Sequence, residues 1–417
     1  MKLMIILKTN FPYPLLTGGQ QGVYHMIDRL RNKIEILILY DKHIVNDKNE
    51  IELKRRWSNV KFIPFQKSYI TQIHWNFSYL CWLIYKILTK LFINHNLVQK
   101  NKVLNGTDEQ EYSSDFLDFI SSTIETEKVD IIQTEFYNTL NLGYYLPDNI
   151  QKVYVQHEIR YVRNYLFIKN QKKINSLDLY KTKKLKHEEI MAMNQYNCII
   201  TVTEIDKRKL LNDGVYTKIE ASHLCIPSKT VINEYVSTDN KLSFLGGFRH
   251  SANVSGLMWF LNEVWHVILK HNSMIELSII GDWPNKEIVK IQKKYPNINF
   301  LGFVDDLYDI LHGTIMIVPI IEGSGMRMKI LDAVNNGCTF VTTSIGVEGL
   351  DFEDGKDCLI ADVAEKFAEN IITLNTDTKL QKNLFYNSKK TYDSKYSVDI
   401  AIEKRLNIYT NLVNNSK

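Results

Sequence analysis

The chain is poor in the residues that fix a fold by covalent or metal chemistry. Its five cysteines, Cys81, Cys198, Cys225, Cys338 and Cys358, are scattered through 417 residues without a Cys-x-x-Cys pair. That usage fits a reducing, cytoplasmic compartment and excludes a disulfide framework or a zinc ribbon. Charge of one sign is also lacking. The 51 basic and 47 acidic residues leave a formal net charge of +4, too small to argue for a nucleic-acid partner. Long apolar runs are scarce. The opening MKLMIIL is too short for a signal peptide and reads as a strand. The most apolar segment, HWNFSYLCWLIYKILTKLF at 74–92, is interrupted by Lys86 and Lys90 and makes a poor membrane span. It reads either as a packed helix of the N-terminal half or as a helix lying on a bilayer, with Trp75, Tyr79, Trp82 and Tyr85 at headgroup level. Two common signatures are missing as well. No Gly-x-Gly-x-x-Gly occurs, which disfavours a dinucleotide enzyme, and Tyr161 stands where His157-Glu158 would need a second histidine to make a zinc protease.

What is present is an alternation. KLMIIL, EILILY, VDIIQT, KVYVQH and NCIITVT read as strands in the first half; KLSFLGG, IELSIIG, NINFLGF, IMIVPI, CTFVTT and DCLIAD do so in the second. Helical periodicity lies between them, for example over 21–30, 254–269, 326–334 and 364–373. Strands apolar on both faces and separated by helices predict parallel sheets covered on both sides. With 45% apolar and 24% charged residues, the length suits two domains. The fold class is therefore α/β, with two doubly wound Rossmann-like domains facing across a cleft. The expected boundaries are 1–230, a linker at 231–241, a second domain at 242–395, and a C-terminal helix at 396–417 returning to the first domain.

Ligands of doubly wound sheets sit beyond the carboxyl ends of the strands, so the loops there carry the candidates. Gly18 and Gly19 follow the first strand and precede a helix, where backbone N–H groups can face an anion. His157 follows the strand KVYVQ. Arg249 follows a glycine turn, Gly246-Gly247, ahead of another helix. The densest constellation is PIIEGSGMRMKILDA. Here Glu322, Gly323, Ser324 and Gly325 form a turn, a helix is expected near Met326, and Arg327, Lys329 and Asp332 follow. The cations and the helix start suit phosphates. The carboxylates accept hydrogen bonds and suit hydroxyls. A ligand carrying both is a nucleotide sugar. No Asp-x-Asp occurs in the chain, so no metal or other cofactor is expected, and side chains would neutralise the diphosphate. The segment 160–186 holds nine basic residues and one acid, Asp178. It reads as a solvated face, or as a patch touching an anionic lipid surface or a phosphate-bearing acceptor.

These motifs resemble the retaining glycosyltransferases of the GT-B fold, family four, the glycosyl transferases group 1 set. The likeness runs through the glycine loop, YVQHEIRYVRN, TVTEIDKRKLL, FLGGFRHSANVSGLMWF, INFLGFVDDL and EGSGMRMKILDAVNNGCTFVTTSIGVEGL, in the family's order. The resemblance implies transfer of a sugar from a nucleotide-sugar donor, with retention, to a glycan or polyprenyl-linked glycan, at the inner face of a membrane. Glu322 matches the glutamate that engages the donor sugar. Asp332 stands where a second glutamate meets the ribose, at a wider spacing and one methylene shorter. Arg249 matches the family's diphosphate arginine, but no lysine follows it in that loop, and Arg327 or Lys329 is expected to supply the missing charge. His157 is expected to donate a hydrogen bond near the donor sugar, and the leaving phosphate to take the acceptor's proton. A GT-B epimerase and a non-catalytic partner subunit are the alternatives.

Overall fold

A computed structural model describes residues 1–15, 17–66, 112–169, 174–224, 234–304, 306–323 and 325–415. The aromatic segment 74–92, residues 170–173 of the basic segment, residues 225–233 and Ser324 lie outside the described residues.

Two parallel sheets organise the chain. The first contains β1 (Lys2–Leu7), β2 (Glu35–Asp41), β3 (Lys61–Phe65), β4 (Ile131–Glu135), β5 (Gln151–Gln156), β6 (Cys198–Thr201) and β7 (Lys218–Ala221). Their spatial order is β3-β2-β1-β4-β5-β6-β7. The second contains β8 (Lys241–Leu245), β9 (Glu276–Ile280), β10 (Ile298–Gly302), β11 (Ile315–Val318), β12 (Thr339–Thr342) and β13 (Leu359–Ile360), in the order β10-β9-β8-β11-β12-β13. Both orders reverse direction once, between β1 and β4 and between β8 and β11. Those reversals open crevices at the carboxyl ends of the strands.

The central strands form because they are apolar on both faces. Leu3 to Leu7 and Ile36 to Tyr40 are each at most 1% exposed, as a sheet covered by helices on both sides requires. Helix ends follow local chemistry. The Thr17 hydroxyl accepts the Gln20 N–H at 3.2 Å and starts the helix Gly18–Leu30. Thr203 accepts the Asp206 N–H at 3.0 Å and donates its own hydroxyl hydrogen to the Asp206 carboxylate at 2.7 Å, starting the helix Glu204–Asp213. The last helix, Val398–Asn414, packs Ala401, Ile402, Ile408, Tyr409 and Leu412 into the core of the first domain, beside Val23 and Ile27. Among the described residues no helix is long and apolar enough to cross a membrane.

The periodicity read over 254–269 becomes the helix Ser251–Trp259, a wider π turn at Phe260–Val264, and a further helix Trp265–His271. Its first part lies hard against the end of β11. A methyl group on Gly256 would come within 2.4 Å of the Pro319 carbonyl oxygen. Alanine favours a helix over glycine by about 1 kcal/mol, yet here the obstacle is backbone, and overpacking of that kind costs about 1–3 kcal/mol. Gly256→Ala is therefore expected to lower the melting temperature by several degrees in a calorimetric scan. An unchanged or raised value would show that the helix can slide away from the strand.

Candidate active site

Every loop that carries a candidate residue opens on the carboxyl end of a strand. Gly18-Gly19 follows β1, His157 follows β5, Arg249 follows β8, and Glu322 to Gly325 follows β11. The two domains bring several of these loops together. A methyl group on Gly18 would approach the Met328 side chain to 3.3 Å, one on Gly19 the Phe136 ring to 2.9 Å, and one on Gly325 the His157 carbonyl oxygen to 2.6 Å. Gly325 also has φ +82°, a left-handed conformation that side-chain-bearing residues adopt at a cost. The glycine turn of the second domain thus seats directly against the histidine loop of the first.

Glu322 is half-buried, and its Oε1 accepts a hydrogen bond from the Ser255 hydroxyl at 2.8 Å. Ser255 lies one residue before Gly256, so the close approach of that helix to β11 is what brings the two side chains within reach. The helix after the turn runs Met328–Asn335, two residues later than the sequence predicts. The left-handed turn residues Gly323 and Gly325 extend the loop, and Arg327 becomes the residue ahead of the first turn. Two N–H groups at this start are used locally: Met328 donates to the Met326 carbonyl at 3.1 Å and Ile330 to the Arg327 carbonyl at 3.0 Å. The charged groups at this helix start are the side chains of Arg327 and Lys329.

Those cations are close together. Arg327 donates to the Gly325 carbonyl at 2.8 Å. Lys329 donates to Asn253 Oδ1 at 2.7 Å, while Asn253 Nδ2 donates to the Gly247 carbonyl at 3.1 Å. Asn253 therefore ties Lys329 to the glycine turn after β8. Burial, reinforced by the Arg327 charge, pushes the Lys329 ammonium down to about 7, against the pull of Asp332. Burial lowers Arg327 too, opposed by Glu348, Glu158 and Asp206. His250 belongs to the same cluster. It is exposed at the edge of the cluster, where partial loss of solvent pulls it below its ordinary value, Lys329, Arg327 and Arg163 add to that, and Glu158 opposes it. Asp332 is buried, at 8% exposure, and its charge is felt by Lys329 and by the Cys338 thiol. Arg249 is exposed on the turn before Ser251.

On the first domain, His157 Nε2 lies 2.6 Å from Glu135 Oε2, and the imidazole stacks on Phe136 with ring centroids 4.2 Å apart. Behind it, the buried Glu189 carboxylate receives the N–H groups of Arg160 and Tyr161 at 3.3 Å and the Gln156 amide at 3.0 Å. Burial raises Glu189 to about 7. Glu135, Phe136, Ser255, Asn253 and His250 escape a reading of the sequence. Only the charged residue that ends the strand IIQTE hints at the first of them.

This architecture has known counterparts. The Staphylococcus aureus protein TarM, in a structure with fondaparinux, alpha-GlcNAc-glycerol and UDP, superposes with a TM-score of 0.67 at 14% identity, over 98% of this chain and all of that one. The sucrose-phosphate synthase of Thermosynechococcus elongatus gives 0.69 at 12% identity over the whole of both chains. Anabaena HepE, in complex with UDP-glucose, gives 0.63 at 11% identity over 98% of this chain and 99% of that one. The fold is GT-B. Residues 239–377 match the family model described as glycosyl transferases group 1, a stretch that holds the Glu322 turn and the Lys329 cluster. A Klebsiella pneumoniae protein described as an uncharacterized 44.6 kDa protein in cps region is 24% identical, over 95% of this chain and 97% of that one.

Proposed function

We propose that this GT-B protein is a retaining glycosyltransferase that moves a sugar from a nucleotide-sugar donor to a glycan or lipid-linked glycan, with no metal ion. One observation carries the reading. A carboxylate held by Ser255 lies on the turn after β11, the half-buried cations Arg327 and Lys329 follow it at the start of the next helix, and the turn is pressed against a histidine loop of the first domain. Arg327 and Lys329 neutralise the diphosphate, with Arg249 reaching it from the exposed turn. Glu322 and His157 face the sugar, and the departing phosphate takes the acceptor's proton. The UDP and UDP-glucose held by TarM and HepE support a nucleotide-sugar donor, and the relative from a cps region supports polysaccharide assembly as the setting. Contact with an anionic membrane surface is assigned to Lys183 and Lys184 beside the exposed Leu177 and Tyr180. Sedimentation with vesicles of anionic lipid, and none with neutral ones, tests it.

The deciding experiment screens purified protein against a panel of nucleotide sugars by thermal shift, since a ligand of the folded state raises stability. The one that stabilises is then followed for transfer and for the anomeric configuration of the product by NMR. Retained configuration supports the proposal. An epimerised sugar with no acceptor, an inverted product, or no ligand at all would overturn it.

A further inference from the structure

The histidine of the cleft is joined to the last helix of the chain by a line of buried side chains. Gln133 and Glu135 are two apart on β4, so both leave the same face of the strand. Glu135 Oε2 meets His157 Nε2 at 2.6 Å, and Glu135 Oε1 accepts the Gln133 amide hydrogen at 2.6 Å. Gln133 Oε1 accepts the Tyr409 hydroxyl hydrogen. Arg405 donates to the Tyr409 oxygen at 3.4 Å and is anchored on Ser222, at 3.3 Å to its hydroxyl and 3.5 Å to its carbonyl. Gln133, Glu135, Arg405 and Tyr409 are all at most 4% exposed.

The direction of this line follows from which groups can only donate and which only accept. A guanidinium only donates, so the Tyr409 oxygen accepts from Arg405 and its own hydrogen goes to Gln133. An amide whose oxygen is occupied turns its NH2 toward Glu135. A carboxylate only accepts, so the hydrogen shared with His157 sits on Nε2. In the tautomer that carries its hydrogen on Nε2, Nδ1 is bare, and that atom is buried without a hydrogen-bond partner. Phe136 holds the ring flat against it, at an interplanar angle of 16°, from a backbone with φ +66°. That conformation is unusual for a bulky residue and is found where structure constrains a site.

We propose that Glu135 is a positioning residue, and that the line from Arg405 through Tyr409 and Gln133 fixes His157 in the tautomer whose Nδ1 accepts a hydrogen bond from a hydroxyl of the bound sugar. This rests on the assignment of sugar transfer to the cleft. It reverses the direction expected from the sequence, in which His157 donates. It also makes the C-terminal helix part of the site. A donor lacking that hydroxyl would leave the acceptor nitrogen unfilled and should be used poorly.

The test labels the histidines of the full chain with 15N and reads the tautomer of His157 by long-range 1H–15N correlation, assigned with His157→Gln. The expected result is hydrogen on Nε2 and none on Nδ1. In Glu135→Gln the new amide must give its oxygen to Gln133 and its NH2 to His157, so the hydrogen moves to Nδ1. Turnover should then fall about 10- to 100-fold, the loss seen when the hydrogen-bond partner of a metal-ligating histidine is removed, with the KM for donor changed less and unfolding still cooperative. Tyr409→Phe breaks the line without touching Glu135 and should give a mixture of tautomers with a smaller loss. Hydrogen on Nδ1 in the parent, or parental turnover in Glu135→Gln, overturns the proposal. The spectroscopic arm needs no catalysis. A protein with the expected tautomer that transfers no sugar would refute sugar transfer while supporting the relay.

Discussion

Glu322→Ala is expected to reduce sugar transfer about 1,000-fold or more while leaving the affinity for the nucleotide diphosphate within a few-fold of the parent. The split follows from the geometry. A carboxylate has two oxygens and about four acceptor positions, and the Ser255 hydroxyl occupies one of them from Oε1. The remaining capacity suits sugar hydroxyls, which the alanine variant cannot hold at the reacting position. Loss of such orientation removes rate far more than ground-state binding. The proposed diphosphate contacts are elsewhere, at Arg327 and Lys329, so its binding should survive. Stability should survive as well, because Glu322 is half-buried and belongs to a loop rather than to the apolar core. Steady-state turnover together with calorimetric titration of nucleotide diphosphate checks both halves. Full activity in Glu322→Ala would overturn the assignment, and a large loss of nucleotide affinity would move Glu322 from the sugar to the diphosphate. Ser255→Ala should show the same pattern in milder form, since it frees the carboxylate without removing it.

How much of this could be read beforehand depends on where each residue sits. The central strands were legible because burial on both faces leaves an unbroken apolar run, as in KLMIIL and IMIVPI. The strands that escaped, KFIPF and KIEA, are the two edges of the first sheet. An edge has one neighbour, tolerates Pro64, and carries no such run. The turn PIIEGSGMRMKILDA announced itself because acid, glycine and cation follow one another within a single loop. Its helix start could not be placed, because the left-handed conformations of Gly323 and Gly325 lengthen the turn by two residues and no residue type encodes that directly. Pairings across the chain were invisible. Ser255 reaches Glu322 only because Gly256 lets a helix touch β11, and Glu135 meets His157 only because β4 and β5 are neighbours. Tyr409 lies 276 residues from the glutamine it contacts, and periodicity carries no information at that range.

Binding of a nucleotide diphosphate at pH 8 is expected to take up close to one proton, and Lys329 is its destination. In the free protein burial and the Arg327 charge hold this ammonium near 7, below an ordinary value of 10.5. The unfolded chain binds the proton across the whole interval from about 7 to 10.5, and the folded protein does not. The contribution is therefore unfavourable below pH 7 and is relieved as pH rises through that window. Each unit is worth about 1.4 kcal/mol, so the unliganded site stores a strain of a few kcal/mol at neutral pH. A diphosphate placed against the amine reverses the balance, because a nearby negative charge favours the protonated form. Affinity should thus weaken above pH 7, approaching tenfold per unit, and calorimetric titrations in HEPES and in Tris should differ in heat by the uptake of that proton. Lys329→Met removes the group while keeping its bulk beside Phe244, over whose ring the ammonium lies 5.1 Å from the centroid. The variant should bind nucleotide diphosphate about 100-fold more weakly at pH 6.5, as loss of one partner of a buried charge pair predicts. The penalty should shrink toward pH 9, where the parent's lysine is itself largely neutral in the free site. Equal proton uptake by parent and variant would place the titrating group elsewhere in the cluster, with His250 the next to test. Equal affinity at pH 6.5 would remove Lys329 from the diphosphate site.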